Sequence, residues 1–180
     1  MRTMRLVGAV LGCAVLAALA ADVAVAQVPP TGVSDQAALL ASPDARLAAN
    51  KRLVYDMYRA IIQGGHTELA AQYFTEGYIQ HNPNVPSGRD ALVKFMRESR
   101  PVRPIEPKMT FPLIALVAEG DTVVVATVSY AKDPQDPSKR YASTHFDMYR
   151  IEGGKIAEHW DNLPKDPALL HSDPNAANKP

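Results

Sequence analysis

The hydrophobic pattern of the chain changes its period about halfway along. Over residues 44–63 apolar positions recur every three or four residues, which predicts a helix with a buried stripe that includes Val54, Tyr58 and Ile61. Two shorter helical patterns follow over 67–74 and 88–97. From residue 108 the period becomes two, which predicts strands over 108–118, 122–131, 141–151 and 156–162. Helices followed by consecutive strands predict an α+β domain with an antiparallel sheet.

Turn and capping residues give the boundaries of these elements. Ser42-Pro43-Asp44 is typical of a helix start, with a capping serine and a proline at the first helical position, and Gly64-Gly65 is typical of its end. A proline-bearing segment over 101–107 ends the third helix in extended backbone. Residues 78–81 form a short extended piece between the second and third helices.

The last two strands are expected to form a hairpin around Gly153-Gly154, because glycine reaches positive φ without steric cost. Asp147 lies inside the first arm of this hairpin. The strand alone leaves two interpretations open: a solvated side chain on an open sheet face, or a buried carboxyl group that needs a partner. A turn of two or four residues would place Trp160 opposite Asp147, whereas a turn of three residues would place His159 there.

The N-terminal residues 1–26 are predicted to be a secretory signal. Arg2 and Arg5 precede an apolar run over 6–20, and small residues at 24 and 26 precede the expected cleavage site before Gln27. The run is shorter than the roughly 20 residues of a spanning helix, which disfavours an uncleaved anchor. Lipid attachment at Cys13 is disfavoured because apolar sequence continues beyond it. We therefore expect a periplasmic or secreted protein with a linker over 27–43, a domain over 44–164 and a polar tail over 165–180.

Composition narrows the chemistry to acid–base catalysis or plain binding. Nineteen Lys and Arg balance nineteen Asp and Glu, which gives no electrostatic reason to expect nucleic acid or a membrane surface as a partner after signal cleavage. Cys13 is the only cysteine, so the mature chain has no thiol. His81, His145 and His159 lack the spacing of a zinc motif, and no nucleophile elbow or phosphate loop is present, so neither a metal nor another cofactor is expected.

Four short motifs occur in a characteristic order: Tyr-Ile-Gln-His-Asn-Pro over 78–83, Gly-Arg-Asp-Ala-Leu-Val-Lys-Phe over 88–95, Asp-Met-Tyr-Arg over 147–150 and Gly-Lys-Ile-Ala-Glu-His-Trp-Asp over 154–161. In this order the chain resembles the SnoaL-like proteins of the nuclear-transport-factor-2-like superfamily over residues 46–163. The resemblance implies a cone, in which a curved antiparallel sheet wraps around N-terminal helices and leaves an apolar pocket. Members include polyketide cyclases, ketosteroid isomerases, dehydratases and proteins without catalytic activity.

The resemblance also implies roles for individual residues. Residues 57–83 are similar to part of a bacterial ketosteroid isomerase, which implies that Tyr58 is an oxyanion donor. The second oxyanion donor of that isomerase, a protonated Asp, corresponds to Asp147 further along the chain. The position of the isomerase base is taken by Asn82, which cannot act as a base, and SnoaL-like proteins tend to carry a histidine where His81 stands. The candidate catalytic residues are therefore His81, Asp147 and Tyr58. The candidate ligand-binding residues are Trp160, His159, Asn82, Tyr78 and Phe95.

Three functions remain open at this stage. The first is an exported enzyme that catalyses proton transfer, of the aldol, isomerase or dehydratase type, on a small hydrophobic carbonyl compound. The second is a module that binds a small hydrophobic ligand without chemistry, and the third is a dimerising scaffold; a homodimer is expected. Burial is expected to raise the pKa of Asp147 above the ordinary value of about 3.9 if His81, its expected neighbour, is neutral.

Overall fold

The computed structural model describes residues 28–166, residue 168 and residues 173–177. The predicted signal peptide and Cys13 lie outside the described residues. In the part of the chain that is described, no helix has the length and apolarity needed to cross a membrane.

The helices lie mostly in the first half of the chain, as the periodicity predicts. They are α1 (Gln36–Leu40), α2 (Ala45–Met57), a π-helical continuation of α2 (Tyr58–Gln63), a 3-10 turn (Thr67–Leu69) that leads into α3 (Ala70–Tyr73), α4 (Arg89–Ser99) and α5 (Pro174–Ala177). The cap of α2 is Asp44 rather than Ser42, because the Asp44 carboxylate accepts the backbone N–H groups of Arg46 and Leu47 at 2.8 and 3.2 Å. Gly65, with φ of 71°, ends the helical segment where predicted.

Five strands form one curved sheet, which confirms the α+β architecture. They are β1 (Phe74–Gln80), β2 (Leu113–Glu119), β3 (Thr122–Lys132), β4 (Arg140–Glu152) and β5 (Lys155–Asp161). Their order in the sheet is β1-β5-β4-β3-β2. Pairing is antiparallel except between β1 and β5, which run parallel, so the edge strand departs from the predicted antiparallel pattern.

The register of the hairpin differs from both predicted alternatives. Next to the two-residue turn, Glu152 pairs with Lys155 and Ile151 with Ile156, as a two-residue turn requires. A bulge then shifts the pairing by one residue before Arg150 pairs with Glu158. Because side chains alternate between the two faces, this extra residue reverses which face the distal half of β5 presents.

The helices pack their apolar stripe into the concave face of the sheet. Val54, Tyr58 and Ile61 are each 3 % exposed or less. The chain end is docked rather than frayed where it is described, because Asn84 donates to the Pro164 carbonyl at 2.9 Å and Asn175 donates to the Gln63 carbonyl at 3.2 Å.

Candidate functional site

A cavity of about 400 Å³ lies between the helices and the concave face of the sheet. This volume is within the range of small-molecule sites, roughly 300–1,000 Å³. Much of its wall is apolar and includes Met57, Ile62, Phe74, Leu92, Phe95 and Phe111. The polar residues of the wall come mainly from β1, β4, β5 and the loop after β1. An apolar wall with a few grouped polar side chains is typical of a ligand site.

The register of the sheet gathers the polar side chains. Asp147 on β4 pairs with Asp161 on β5, and in the adjacent row Tyr149 pairs with His159. His159 in turn pairs with Gln80 of β1. These residues share the concave face because pairing partners point to the same side of a sheet.

Asp147 is the centre of the polar cluster, although it is only 7 % exposed. Tyr58 donates a short hydrogen bond from its hydroxyl to Oδ2. His159 Nε2 lies 2.8 Å from Oδ1, and His145 Nε2 lies 3.3 Å from the same oxygen. Three polar groups therefore offset the loss of hydration that burial imposes on the carboxylate.

The contact with Gln80 shows that Nδ1 of His159 carries a proton. The Gln80 Oε1 atom accepts the backbone N–H of Asn82 at 3.0 Å, which sets the orientation of the side-chain amide. His159 Nδ1 lies 2.7 Å from the same oxygen and must therefore be the donor. This contact holds the imidazole ring with Nε2 directed at Asp147.

The pKa values of the cluster follow from burial opposed by hydrogen bonding. Burial alone would raise the pKa of Asp147, but hydrogen bonds and positive charge from His145 and His159 together hold it well below its usual range. The predicted increase is therefore wrong. For Tyr58, burial and then the charge and hydrogen bond of Asp147 raise the pKa well above 10.0, so its hydroxyl stays protonated.

His145 is the histidine of the cluster that is best placed to exchange a proton. Its side chain is 20 % exposed and lines the cavity, whereas the side chain of His159 is 9 % exposed. Burial opposes protonation of His145, but hydrogen bonding to Asp147, with the charges of Asp147 and Asp161, raises its pKa above 6.5. The imidazole therefore titrates above its ordinary value.

Asp161 provides a second carboxylate in the cavity. It accepts a short hydrogen bond from the Asn82 amide and the backbone N–H of Leu163 at 3.0 Å. His145, Asp147 and Asp161 each offer a ligand atom within 4.8 Å of the others, a geometry compatible with a divalent cation. A cation there would compete with the donors that already occupy both oxygens of Asp147, and the expectation of no metal stays a prediction.

His81 and Trp160 do not line the cavity, contrary to their predicted positions. His81 has a side chain that is 40 % exposed and lies 3.1 Å from the Glu158 carboxylate. Its ring stacks on Trp160 at a centroid distance of 4.6 Å. Both side chains therefore point to the convex face of the sheet, and His81 cannot supply a base to this cavity.

The other predicted residues do converge on the cavity. Tyr58, Asp147, His159, Asn82, Tyr78 and Phe95 all line it. The prediction missed the roles of His145, Asp161, Gln80 and Arg100, which line it as well. Strand alternation already places His145 on the same face as Asp147, so the sequence carried a signal for that residue.

The family follows from a comparison of the sequence with family models. The model of the SnoaL-like domain matches residues 54–159, which is more than half of the chain, so the chain belongs to the SnoaL-like family. The fold is that of the nuclear-transport-factor-2-like superfamily. No curated protein sequence matches the chain.

Several solved structures are similar in fold. TsrD from Streptomyces laurentii is 21% identical with a TM-score of 0.45, over 67% of this chain and 90% of that protein. A protein named as a SnoaL-like polyketide cyclase from Jannaschia sp. CCS1 is 17% identical with a TM-score of 0.47, over 68% and 92%. An epoxide hydrolase of the LEH-like type from M. tuberculosis is 12% identical with a TM-score of 0.47, over 74% and 91%. Similarities at this level carry no argument about chemistry.

Proposed function

We propose that the cavity is the active site of an enzyme that moves a proton on a small hydrophobic carbonyl compound, as in isomerase, aldol or dehydratase chemistry. The observation that carries this proposal is the contact between His145 and a buried, ionised Asp147 in a cavity whose wall is largely apolar. Paired titratable groups with shifted pKa values in a cleft are a general mark of functional sites.

His145 acts as the general base in this proposal. The neutral imidazole removes a proton from the carbon next to the substrate carbonyl, the C–H bond breaks, and its electron pair moves into the enolate. The proton is accepted at the ring nitrogen that does not face Asp147, while Nε2–H donates to the Asp147 carboxylate 3.3 Å away, which stabilises the imidazolium ion. The imidazolium ion then returns the proton to the same or another carbon. Histidine can both accept and release a proton, as this step requires.

Asp147 positions His145 and stabilises the imidazolium ion rather than reacting with the substrate. Its low pKa argues against the protonated oxyanion donor that the isomerase resemblance implies. Tyr58 and His159 hold the carboxylate in place, and the carboxylate in turn orients His145. This division of labour replaces the role expected for His81.

Tyr78 is the candidate donor to the developing enolate oxygen. Its hydroxyl accepts a hydrogen bond from Gln80 Nε2 at 3.0 Å and lines the cavity. Burial, then the charges of Asp147 and Asp161, raise its pKa far above 10.0, so the hydroxyl keeps its proton. Among the described residues no acceptor is found for that proton, which leaves it available to a ligand.

The test is exchange of hydrogen for deuterium at the carbon next to the carbonyl of 1-tetralone in D₂O, followed by proton NMR. This assay needs no knowledge of the natural substrate. Wild-type protein should accelerate exchange over buffer, and His145→Gln should lose about 10²-fold of that acceleration. His81→Gln is the matched control and should exchange at the wild-type rate, because His81 lies outside the cavity.

Two outcomes would contradict the proposal. Equal losses in His145→Gln and His81→Gln would point to a non-specific effect of histidine. Saturable binding of 1-tetralone without any exchange above buffer would favour the alternative, a module of the same fold that binds a small ligand without chemistry.

We also propose that the protein forms a homodimer through the convex face of the sheet. Val117, Val124, Met148 and Trp160 form a row across four strands. Val117 is 57% exposed and Met148 36%, and an exposed apolar patch of this kind commonly marks an interface. Met148→Glu should convert a dimer to a monomer in light scattering, and an unchanged mass would contradict this proposal.

Export stays a proposal of the same kind. It rests on the charged start, the apolar run and the small residues before Gln27, as set out from the sequence. A periplasmic or secreted location would bring the cavity into contact with small molecules outside the cytoplasm.

A further inference from the structure

Arg100 contributes a cation to the wall of the cavity. It is the residue that ends α4, and its backbone N–H bonds to the Met96 carbonyl at 2.9 Å. Its side chain lines the cavity. Among the described residues, no other Lys or Arg lines it. The Nε and Nη1 atoms are buried and have no hydrogen-bond partner among the described residues.

Two buried guanidinium nitrogens without a partner are unusual. Buried donors in native proteins are paired in the great majority of cases, and burying a charge without a partner destabilises the fold. Burial lowers the pKa of Arg100 to about 10, so the group remains cationic at neutral pH. The folded chain thus retains a positive charge that lowers its stability. A ligand that supplies the missing anion would explain why this charge is kept.

In the part of the chain that the structure describes, the nearby groups do not supply that anion. The charge of Asp173 acts on Arg100, but the Asp173 carboxylate pairs with Arg103 at 2.5 Å and accepts the backbone N–H of Asn175 at 3.0 Å. Tyr78 and Tyr149 also lie within electrostatic reach of Arg100, and their raised pKa values keep both neutral. The guanidinium therefore faces the cavity without a dedicated counter-charge.

We propose that Arg100 binds a carboxylate group of the ligand, so that the natural ligand is a small hydrophobic organic acid. A single cation suits a monoanion, whereas a phosphate site generally gathers several donors. The apolar wall accommodates the hydrocarbon part, and a volume of about 400 Å³ limits the ligand to roughly the size of a bicyclic or short-chain acid.

The same placement would orient a substrate for the acid–base cluster. Tyr78 lies within electrostatic reach of Arg100, Asp147 and Asp161 together, so both groups of charges act across one small cavity. A keto or hydroxy acid anchored at Arg100 would present its carbonyl or hydroxyl group to Tyr78 and His145. This orientation rests on the proposed function, whereas carboxylate binding at Arg100 does not require catalysis.

The experiment compares two probes of the same shape, 1-naphthoate and uncharged 1-naphthalenemethanol, by isothermal titration calorimetry at pH 7. Wild-type protein should bind 1-naphthoate at least about tenfold more tightly than the alcohol. Arg100→Met should abolish this preference while the affinity for the alcohol persists. Arg97→Met, on the same helix but outside the cavity wall, is the matched control and should keep the preference.

Stability provides a second measurement that does not depend on either probe binding. Replacing an unpartnered buried charge with methionine should leave the melting temperature of the ligand-free protein unchanged or raise it by about 2–4 °C. A clear fall in melting temperature would show that Arg100 has a structural partner and would overturn the inference. Equal affinities of the two probes for the wild-type protein would overturn it as well.

The binding comparison also separates this inference from the proposed enzyme function. If 1-naphthoate is preferred but 1-tetralone exchange never rises above buffer, the carboxylate site stands and the catalytic proposal fails. If exchange depends on His145 but the carboxylate preference is missing, the catalytic proposal stands and this inference fails.

Discussion

Replacing Asp147 with asparagine removes the charge at the centre of the polar cluster and keeps its shape. The new amide nitrogen can donate to Nε2 of His159 and the amide oxygen can still accept from the Tyr58 hydroxyl, so most of the lost free energy is electrostatic. At pH 8 we expect a loss of about 2 kcal/mol, the value of a hydrogen bond to a charged group. At pH 5.5 His145, whose pKa is raised in the wild type, is protonated to a greater extent and loses its counter-charge, which should cost about 3–5 kcal/mol.

The sign of the pH dependence follows from the pKa shifts. The folded-state pKa of His145 is raised, so its contribution to stability is fully present below its unfolded value and is lost as pH rises through the folded value. The folded-state pKa of Asp147 is lowered, so its contribution is present above its unfolded value and is lost as pH falls through the folded value. The difference between wild type and Asp147→Asn should therefore widen as pH falls from 8 to 5.5.

The assay is thermal unfolding followed by circular dichroism at both pH values. Each kcal/mol corresponds to roughly 2–4 °C for a domain of this size. Asp161→Asn is the comparison and should show a smaller change of the gap with pH, because Asp161 bonds to the neutral Asn82 amide and the Leu163 backbone and acts on His145 only through its charge. A gap between wild type and Asp147→Asn that is constant with pH, or wider at pH 8, would refute the proposed ion pairing.

Three further predictions concern Tyr58, metals and export. Tyr58→Phe removes the donor to Oδ2 of Asp147 and should lower stability by about 1–3 kcal/mol and raise the pKa of that carboxyl group; unchanged unfolding and carboxyl titration would contradict the assigned contact. Treatment with EDTA should leave both the melting temperature and 1-tetralone exchange unchanged, whereas a loss restored by zinc would assign a metal to His145, Asp147 and Asp161. Intact-mass measurement of exported protein should begin at Gln27, and retention of Met1 or lipid on Cys13 would contradict cleavage after residue 26.

The fold was predictable because the apolar residues of the sequence recur with a clear period in each helix and strand. The apolar stripe of α2 and the alternation in the strands each identify one buried face, which is enough to order helices and sheet. The register of the hairpin was not predictable in the same way. The bulge before the Arg150–Glu158 pair inserts one residue without a glycine or other local signal, and that residue directs His159 and Asp161 into the cavity in place of Trp160.

His81 was wrongly placed in the cavity, although the alternation of side chains along β1 argues against that position. Tyr78 and Asn82 are buried and Gln80 lines the cavity, so the alternation of β1 continues into the following residue and leaves His81 on the other face. The family motif identified the correct segment, but it does not determine which of the adjacent residues His81 and Asn82 points into the cavity. Arg100 could not have been singled out from sequence, because its burial depends on how the end of α4 meets the cavity.

The most direct test of the central claim is an NMR titration of the His145 imidazole and the Asp147 carboxyl group in the same sample, with His145→Gln and Asp147→Asn used to assign the signals. The account predicts that His145 titrates above 6.5 and that Asp147 stays ionised to well below 3.8. A His145 pKa at or below its ordinary value, together with an Asp147 pKa above its own, would contradict the proposed ion pair and the proton transfer that depends on it.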